Sequence, residues 1–135
     1  MTKQTITVEA FTEAMEKAVA IRGADFTYPA LTEEAAEAGW YITPNNSTCR
    51  YFREDGEPAC IIGTALSLLG YGPEDVTEGD GSLDLLTKLG APYFLGVAAL
   101  SPQTVQDHGG TWGEALEAYY KRLKEETGAF EGIDL

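Results

Sequence analysis

The sequence predicts a mainly α-helical protein that folds as a single compact domain, with about six helices around a buried central helix. Apolar residues recur at helical spacing in residues 8–22 and 112–123, and a glycine follows almost every predicted helix. The chain of 135 residues is long enough to bury a core without a disulfide or a metal. We place the domain at residues 1–128 and a loosely held tail at 129–135. The alternative is an α+β fold with a small antiparallel sheet of three strands.

Two helices are predicted near the start of the chain. Over residues 8–22 the apolar side chains share one helical face and the glutamates another, with Thr7 as a cap and Gly23 as a natural end. A second, short helix is predicted from Thr32 to Ala38, because a capping threonine precedes an acidic first turn.

A small β-hairpin is predicted at about residues 40–58, where β-branched and aromatic residues alternate with turn formers. Asp55 and Gly56 form a strong turn signal, and Pro58 restricts a returning strand to the edge of a sheet. The following residues are apolar on nearly every side and end at Gly70. They predict the buried central helix at residues 60–69.

The segment after the central helix contains two further helix starts. Ser82 is predicted to cap a helix that ends at Leu89. Residues 92–100 are apolar and fit more than one structure. The pair Ser101-Pro102 has the preferred order of a cap followed by proline, and predicts a new helix that reaches His108.

The last predicted helix has the best-defined start. Thr111 and Glu114 form a capping box, in which each side chain satisfies a backbone N–H of the other residue. Gly128 is predicted to end this helix. Its apolar stripe consists of Trp112, Leu116, Tyr119, Tyr120 and Leu123.

Negative charge is the clearest compositional signal, with 22 acidic residues against 9 basic ones and a net charge of -13. Proteins that bind phosphate backbones do so through clustered lysine and arginine, so this composition argues against direct binding to nucleic acid or to anionic membranes. No apolar run is long enough to span a bilayer, and the first residues lack the pattern of a signal peptide. We expect a cytoplasmic protein.

The cysteine count argues against a metal centre. Cys49 and Cys60 belong to no CxxC pair, and with a single histidine they fall short of four zinc ligands. We therefore expect no metal and no cofactor. The two cysteines lie eleven positions apart across the predicted hairpin, and the sequence leaves open whether they pair.

Cys60 is also a candidate nucleophile, because the first turn of a helix favours the thiolate. A cysteine hydrolase needs a base as well, and His108 is the only histidine, with Asp107 beside it. The opposite interpretation makes Cys60 a buried core residue, since the residues that follow it are apolar. If a chemical site exists, we expect the Cys60 sulfur to lie near His108 or Asp107.

The connection around residues 106–112 is the candidate binding site. Gln106, Asp107, His108 and Trp112 combine polar groups, a titratable ring and an indole in one junction between helices. Tyr51 is added because aromatic side chains with a polar end often line grooves. The alternative is structural, with the polar side chains capping the next helix and Trp112 in the core.

The order of two motifs, C-x-x-G-x-A-L at residues 60–66 and Q-D-x-G-x-x-W-x-x-A-L at 106–116, resembles uncharacterised small proteins of actinobacteria and their phages. The matching stretches also include residues 49–51. The resemblance implies no activity and no catalytic residue. It does imply a context, since small acidic phage accessory proteins commonly bind a host protein or neutralise a defence signal.

We therefore expect a non-enzymatic acidic binding protein, in the manner of a phage accessory protein that inhibits or sequesters a host or defence factor. The partner is expected to be a protein or a small molecule. A hydrolase that uses Cys60 and His108 is one alternative, and a structural or assembly subunit is the other. The sequence names no partner and no oligomeric state, and leaves open whether the acidic surface mimics nucleic acid.

Overall fold

The computed structural model describes residues 3–30, 32–43 and 46–134, and their side chains over residues 3–30, 32–41 and 50–127. These residues form two short strands and one 3₁₀ turn in addition to the helices. The helices are α1 (Val8–Arg22), α2 (Glu33–Glu37), α3 (Ile61–Leu68), α4 (Ser82–Lys88), α5 (Tyr93–Asp107) and α6 (Trp112–Asp134). The strands are β1 (Tyr41–Thr43) and β2 (Asn46–Cys49), and the 3₁₀ turn is Pro73–Asp75. The prediction of a mainly α-helical single domain is confirmed.

The predicted helix starts at α1, α2 and α6 have the capping contacts that their sequences indicate. The hydroxyl of Thr7 accepts from the Ala10 N–H at 3.1 Å, and the hydroxyl of Thr32 does the same for Ala35 at 3.0 Å. At α6 the capping box is complete, with Thr111 N–H donating to the Glu114 carboxylate at 2.9 Å and Glu114 N–H donating to the Thr111 hydroxyl at 3.1 Å. Local sequence thus determines where these helices begin.

Helix α3 lies in the centre of the molecule, as predicted. Its residues 61–66 are all buried, and it packs against α1 on one side and α5 on another. Helix α5 in turn packs against α4 and α6. A short apolar helix that is buried on every side must be surrounded by other elements, and this requirement organises the fold.

The segment between α2 and α3 contains two short antiparallel pairings. Strand β1 pairs with β2 in the register Tyr41 with Cys49. Further on, Gly56 has a φ of +89°, and its N–H donates to the Arg53 carbonyl at 2.9 Å, which closes a turn. Phe52 and Pro58, on either side of this turn, form an isolated antiparallel β-bridge. The predicted Asp55-Gly56 turn is therefore present, and the described residues contain no three-stranded sheet.

Helix α5 corrects one prediction. The sequence predicts a helix start at Ser101-Pro102, but α5 is continuous over residues 93–107 with Pro102 inside it. An internal proline removes one backbone hydrogen bond, here to the Ala98 carbonyl. The residues before it, including Ala98 and Ala99, are fully buried, so tertiary packing holds the first half of the helix in line with the second.

Two further boundaries differ from the predictions. Gly81 rather than Ser82 is the N-cap of α4, and Ser82 is the first helical residue and is buried. Ser82 shares a helical face with Leu85 and Leu86, so the packing of these leucines carries it inward. Helix α6 continues through Gly128 and Gly132 to Asp134, because each glycine weakens a helix by about 1 kcal/mol without by itself ending it.

Candidate functional site

A cavity of about 460 Å³ lies between the loop before α4 and the C-terminal half of α5. Three of the predicted binding residues, Tyr51, Asp107 and His108, line it. We call it the α4–α5 cavity. The other residues that line it are Gly79, Asp80, Gly81, Ser82, Leu100, Gln103 and Thr104.

Tyr51 is tied to the loop that forms one wall of this cavity. Its N–H donates to one oxygen of the Glu78 carboxylate at 2.8 Å, and the N–H of Phe52 donates to the other at 3.1 Å. The Tyr51 hydroxyl donates to the Asp80 carbonyl at 2.6 Å. Hydrogen bonds to a carboxylate are stronger than neutral ones, so Glu78 fastens the loop to the chain after β2.

His108 is placed in the cavity by the end of α5. Its Nδ1 lies 2.8 Å from the Thr104 carbonyl, and because a carbonyl only accepts, Nδ1 carries the proton. The Nε2 of the neutral ring is then an acceptor. Gly109 follows with a φ of +88°, which turns the chain out of the helix and leaves Asp107 and His108 exposed at its end.

Hydrogen-bond acceptors dominate the chemistry of the α4–α5 cavity. The carboxylates of Asp80 and Asp107 and the His108 ring line it, and none of the described lining residues is lysine or arginine. Both carboxylates already have a donor from outside the lining, since Lys88 donates to Asp80 at 2.8 Å and the side-chain amide of Gln106 donates to Asp107 at 3.3 Å. In a protein of net charge -13, such a cavity suits an ammonium, a guanidinium or another donor-rich group.

A neighbouring cavity has a different character. It has a volume of about 430 Å³, lies between α5 and α6, and shares Leu100 and Thr104 with the α4–α5 cavity. Lys121, Arg122 and Glu125 line its far side. The acceptor-rich lining is therefore a property of the α4 side of α5.

Gln106 and Trp112 do not line the α4–α5 cavity. Gln106 is buried, and its side-chain carbonyl accepts from the Ile61 N–H at 2.8 Å. Trp112 is fully buried, packs edge-on against Phe26 at 4.9 Å between ring centroids, and has an indole N–H without a hydrogen-bond partner. Trp112 is therefore a core residue, as in the structural alternative, whereas Gln106 bonds to the start of α3 and not to the next helix, α6, as that alternative expected.

Cys60 is a free, fully buried thiol at the N-cap of α3. Its sulfur accepts from the Gly63 N–H at 3.4 Å, and it lines neither of these two cavities. His108 instead bonds to Thr104 at the exposed end of α5. The described contacts make Cys60 a capping residue in the core, and the hydrolase alternative stays a prediction. The side chain of Cys49 lies outside the described residues.

Within the described residues, no three histidine, cysteine, aspartate or glutamate side chains lie close enough to hold a metal ion. In the same part of the chain, no helix is both long and apolar enough to cross a bilayer.

Sequence reasoning missed the residues that complete the α4–α5 cavity. Ser82 lines it and has a hydroxyl that is covered from solvent and has no hydrogen-bond partner. Asp80 lines the cavity, and Glu78 holds the loop that forms its wall. In the sequence both resemble ordinary acidic loop residues, because nothing local distinguishes a carboxylate that accepts from a distant backbone N–H. The contact depends on the loop meeting Tyr51, which lies 27 positions earlier in the chain than Glu78.

Comparisons with family models, with curated proteins and with solved structures find no match to this chain. The class of protein must therefore be argued from the site itself.

Proposed function

We propose that this protein is a non-enzymatic acidic binding protein that takes a basic side chain of a protein partner into the α4–α5 cavity. The observation that carries the proposal is the acceptor-rich lining, with Asp80, Asp107 and the His108 ring around a space of about 460 Å³. A cavity of this size admits a side chain or a small ligand.

Net charge supports a basic partner. An excess of negative charge attracts positively charged molecules over long distances and speeds their association, while the contacts inside a cavity determine which group is held. The same charge disfavours direct contact with nucleic acid. The proposal places the protein in the cytoplasm. Sequestration of a host or defence factor, in the manner of phage accessory proteins, is the finer form of the proposal and rests on the resemblance alone.

The test is a titration of the ¹⁵N-labelled protein with the blocked peptide acetyl-Gly-Lys-Gly-amide, followed by NMR. We expect saturable shifts of the backbone amides of Ser82, Gln103 and His108. Asp107→Asn should weaken binding by about tenfold, because a hydrogen bond to a charged group is worth about 1.5–3 kcal/mol.

The matched control is Glu117→Gln, which removes the same charge from an exposed residue of α6 that lines no described cavity. If both variants weaken binding equally, the diffuse negative charge binds the peptide and the cavity has no part. Butylammonium serves as a small-molecule arm. If it binds more tightly than the peptide, the ligand is a small amine and not a partner's side chain.

A further inference from the structure

Two arginines lie against a single indole, that of Trp40. The guanidinium carbon of Arg22, at the end of α1, lies 5.2 Å from the ring centre of Trp40, and that of Arg53 lies 5.0 Å from the same ring. Arg22 also lies 5.0 Å from the Phe26 ring and 5.7 Å from the Trp112 ring. Aromatic faces attract cations, so these rings hold the two guanidinium groups in place.

Both arginines line a cavity of about 400 Å³, which we call the Arg22–Arg53 cavity. It shares no lining residue with the α4–α5 cavity. One part of its wall is apolar, and Ile21 there is 63% exposed. The remaining lining residues are Glu57, Pro58, Thr64, Ser67 and Leu68.

Each guanidinium group has one described polar contact. Arg22 donates to the Pro58 carbonyl at 3.3 Å, and Arg53 has an ion pair of 3.6 Å with Asp55, whose side chain is 60% exposed. Each guanidinium has five N–H donors in a planar fork that matches a carboxylate. The hydrogen bond and the ion pair each use one guanidinium nitrogen, and the Nε of Arg53 is covered from solvent without a hydrogen-bond partner.

The arrangement also carries an electrostatic cost. Partial burial, and after it the nearby charge of Arg53, lowers the pKa of Arg22 below its usual value. Two like charges held together in this way attract an anion, which would offset their mutual repulsion.

We propose that the Arg22–Arg53 cavity binds a monocarboxylate with a short aliphatic body. The two guanidinium forks face the carboxylate, and the apolar wall of Ile21, Pro58 and Leu68 covers the aliphatic chain. This ligand carries the opposite charge to the group proposed for the α4–α5 cavity, and the two cavities share no lining residue.

Two acidic groups oppose this ligand. Glu57 is exposed and lines the cavity, and Asp55 pairs with Arg53. Removing the Glu57 charge should therefore strengthen binding of the carboxylate. A purely structural role for the two arginines makes no such prediction.

The test is an NMR titration with hexanoate at constant ionic strength, observed at the backbone amides of Thr64 and Ser67. We expect saturable shifts. Arg53→Gln should weaken binding by about tenfold and Glu57→Gln should strengthen it by about threefold, as expected for the loss of a charged hydrogen bond and of an exposed like charge. The control Arg122→Gln, on α6 and outside this cavity, should leave binding unchanged.

Acetate and inorganic phosphate are the comparison probes. Acetate that binds as tightly as hexanoate would remove the role of the apolar wall, and phosphate that binds more tightly would replace the carboxylate with a simple anion site. Absence of any saturable shift with hexanoate would overturn the proposal. Because Arg53→Gln also removes a contact with Trp40, its thermal unfolding is measured in parallel, and the Glu57→Gln variant tests the site without touching that contact.

Discussion

Gln106 and Ile61 lie 45 positions apart in the chain and are joined by a buried hydrogen bond of 2.8 Å, from the Ile61 N–H to the side-chain carbonyl of Gln106. Ile61 is the first residue of α3, where backbone N–H groups have no partner within the helix. Gln106 therefore caps the central helix from α5. It belongs to one of the two motifs that carry the resemblance, and Ile61 belongs to the other.

Replacement of Gln106 by leucine should destabilise the protein by about 1–3 kcal/mol, because it leaves the buried Ile61 N–H without an acceptor. The measurement is the free energy of unfolding in urea. Thr104→Ala, at an exposed position on the same helix, should change it by less than about 0.5 kcal/mol. Equal effects of the two substitutions would contradict the proposed capping role.

Gly63 should not tolerate alanine. A Cβ atom at this position would lie 2.0 Å from the Tyr51 carbonyl oxygen, so α3 and the Tyr51 backbone would have to move apart. Alanine favours a helix over glycine by about 1 kcal/mol, but overpacking of this severity costs about 3 kcal/mol or more, so we expect a net loss of stability. Gly81→Ala is the control, since nothing lies within 4 Å of a Cβ there. A stabilised Gly63→Ala variant would refute the close approach.

The thiol of Cys60 should be unreactive in the folded protein. In a Cys49→Ser background, labelling with iodoacetamide should proceed only as fast as the protein opens, because the sulfur is fully buried. Labelling at the rate of a free peptide thiol would instead support the hydrolase alternative.

Substitutions at Cys60 test its capping role separately. Cys60→Ser retains an acceptor for the Gly63 N–H, whereas Cys60→Ala removes it and leaves a small cavity. We expect the alanine variant to be less stable than the serine variant by about 1 kcal/mol, measured by urea unfolding. The reverse order would show that the buried hydroxyl costs more than the cap contributes.

Stability should fall at alkaline pH because of Tyr119. Burial raises the pKa of its hydroxyl from 10.0 to about 12, while a hydrogen bond with Thr12 at 2.7 Å acts in the opposite direction. The folded state thus holds this proton more tightly than the unfolded state. Its contribution to the free energy of unfolding is complete below pH 10 and is lost as the pH rises toward 12.

The measurement is urea unfolding at a series of pH values from neutral to alkaline. Tyr119→Phe should make the decline shallower, and some decline should persist, because partial burial and the hydrogen bond to Glu16 raise the pKa of Tyr120 to about 12 as well. Tyr93→Phe, at a tyrosine that is 68% exposed, should leave the profile unchanged. An unaltered profile in Tyr119→Phe would exclude Tyr119 as its source.

Part of the candidate site was accessible to sequence reasoning. The chemistry of Tyr51, Asp107 and His108 predicts a binding role, and the structure brings the three residues to one cavity. The same chemistry predicts a binding role for Gln106 and Trp112, but both are buried, because helical rotation determines which neighbours along a chain face inward. Residue type alone cannot distinguish these two outcomes.

The sequence by itself determined the helical class, the central position of α3 and the helix starts at Thr7, Thr32 and Thr111. These features depend on local chemistry: apolar periodicity, capping side chains and glycines that turn the chain. Tertiary structure alone decided the continuity of α5 through Pro102, the burial of Ser82 and the meeting of Gln106 with Ile61. Each of these depends on contacts between distant segments, whose packing free energy outweighs the local preference of a proline or a serine.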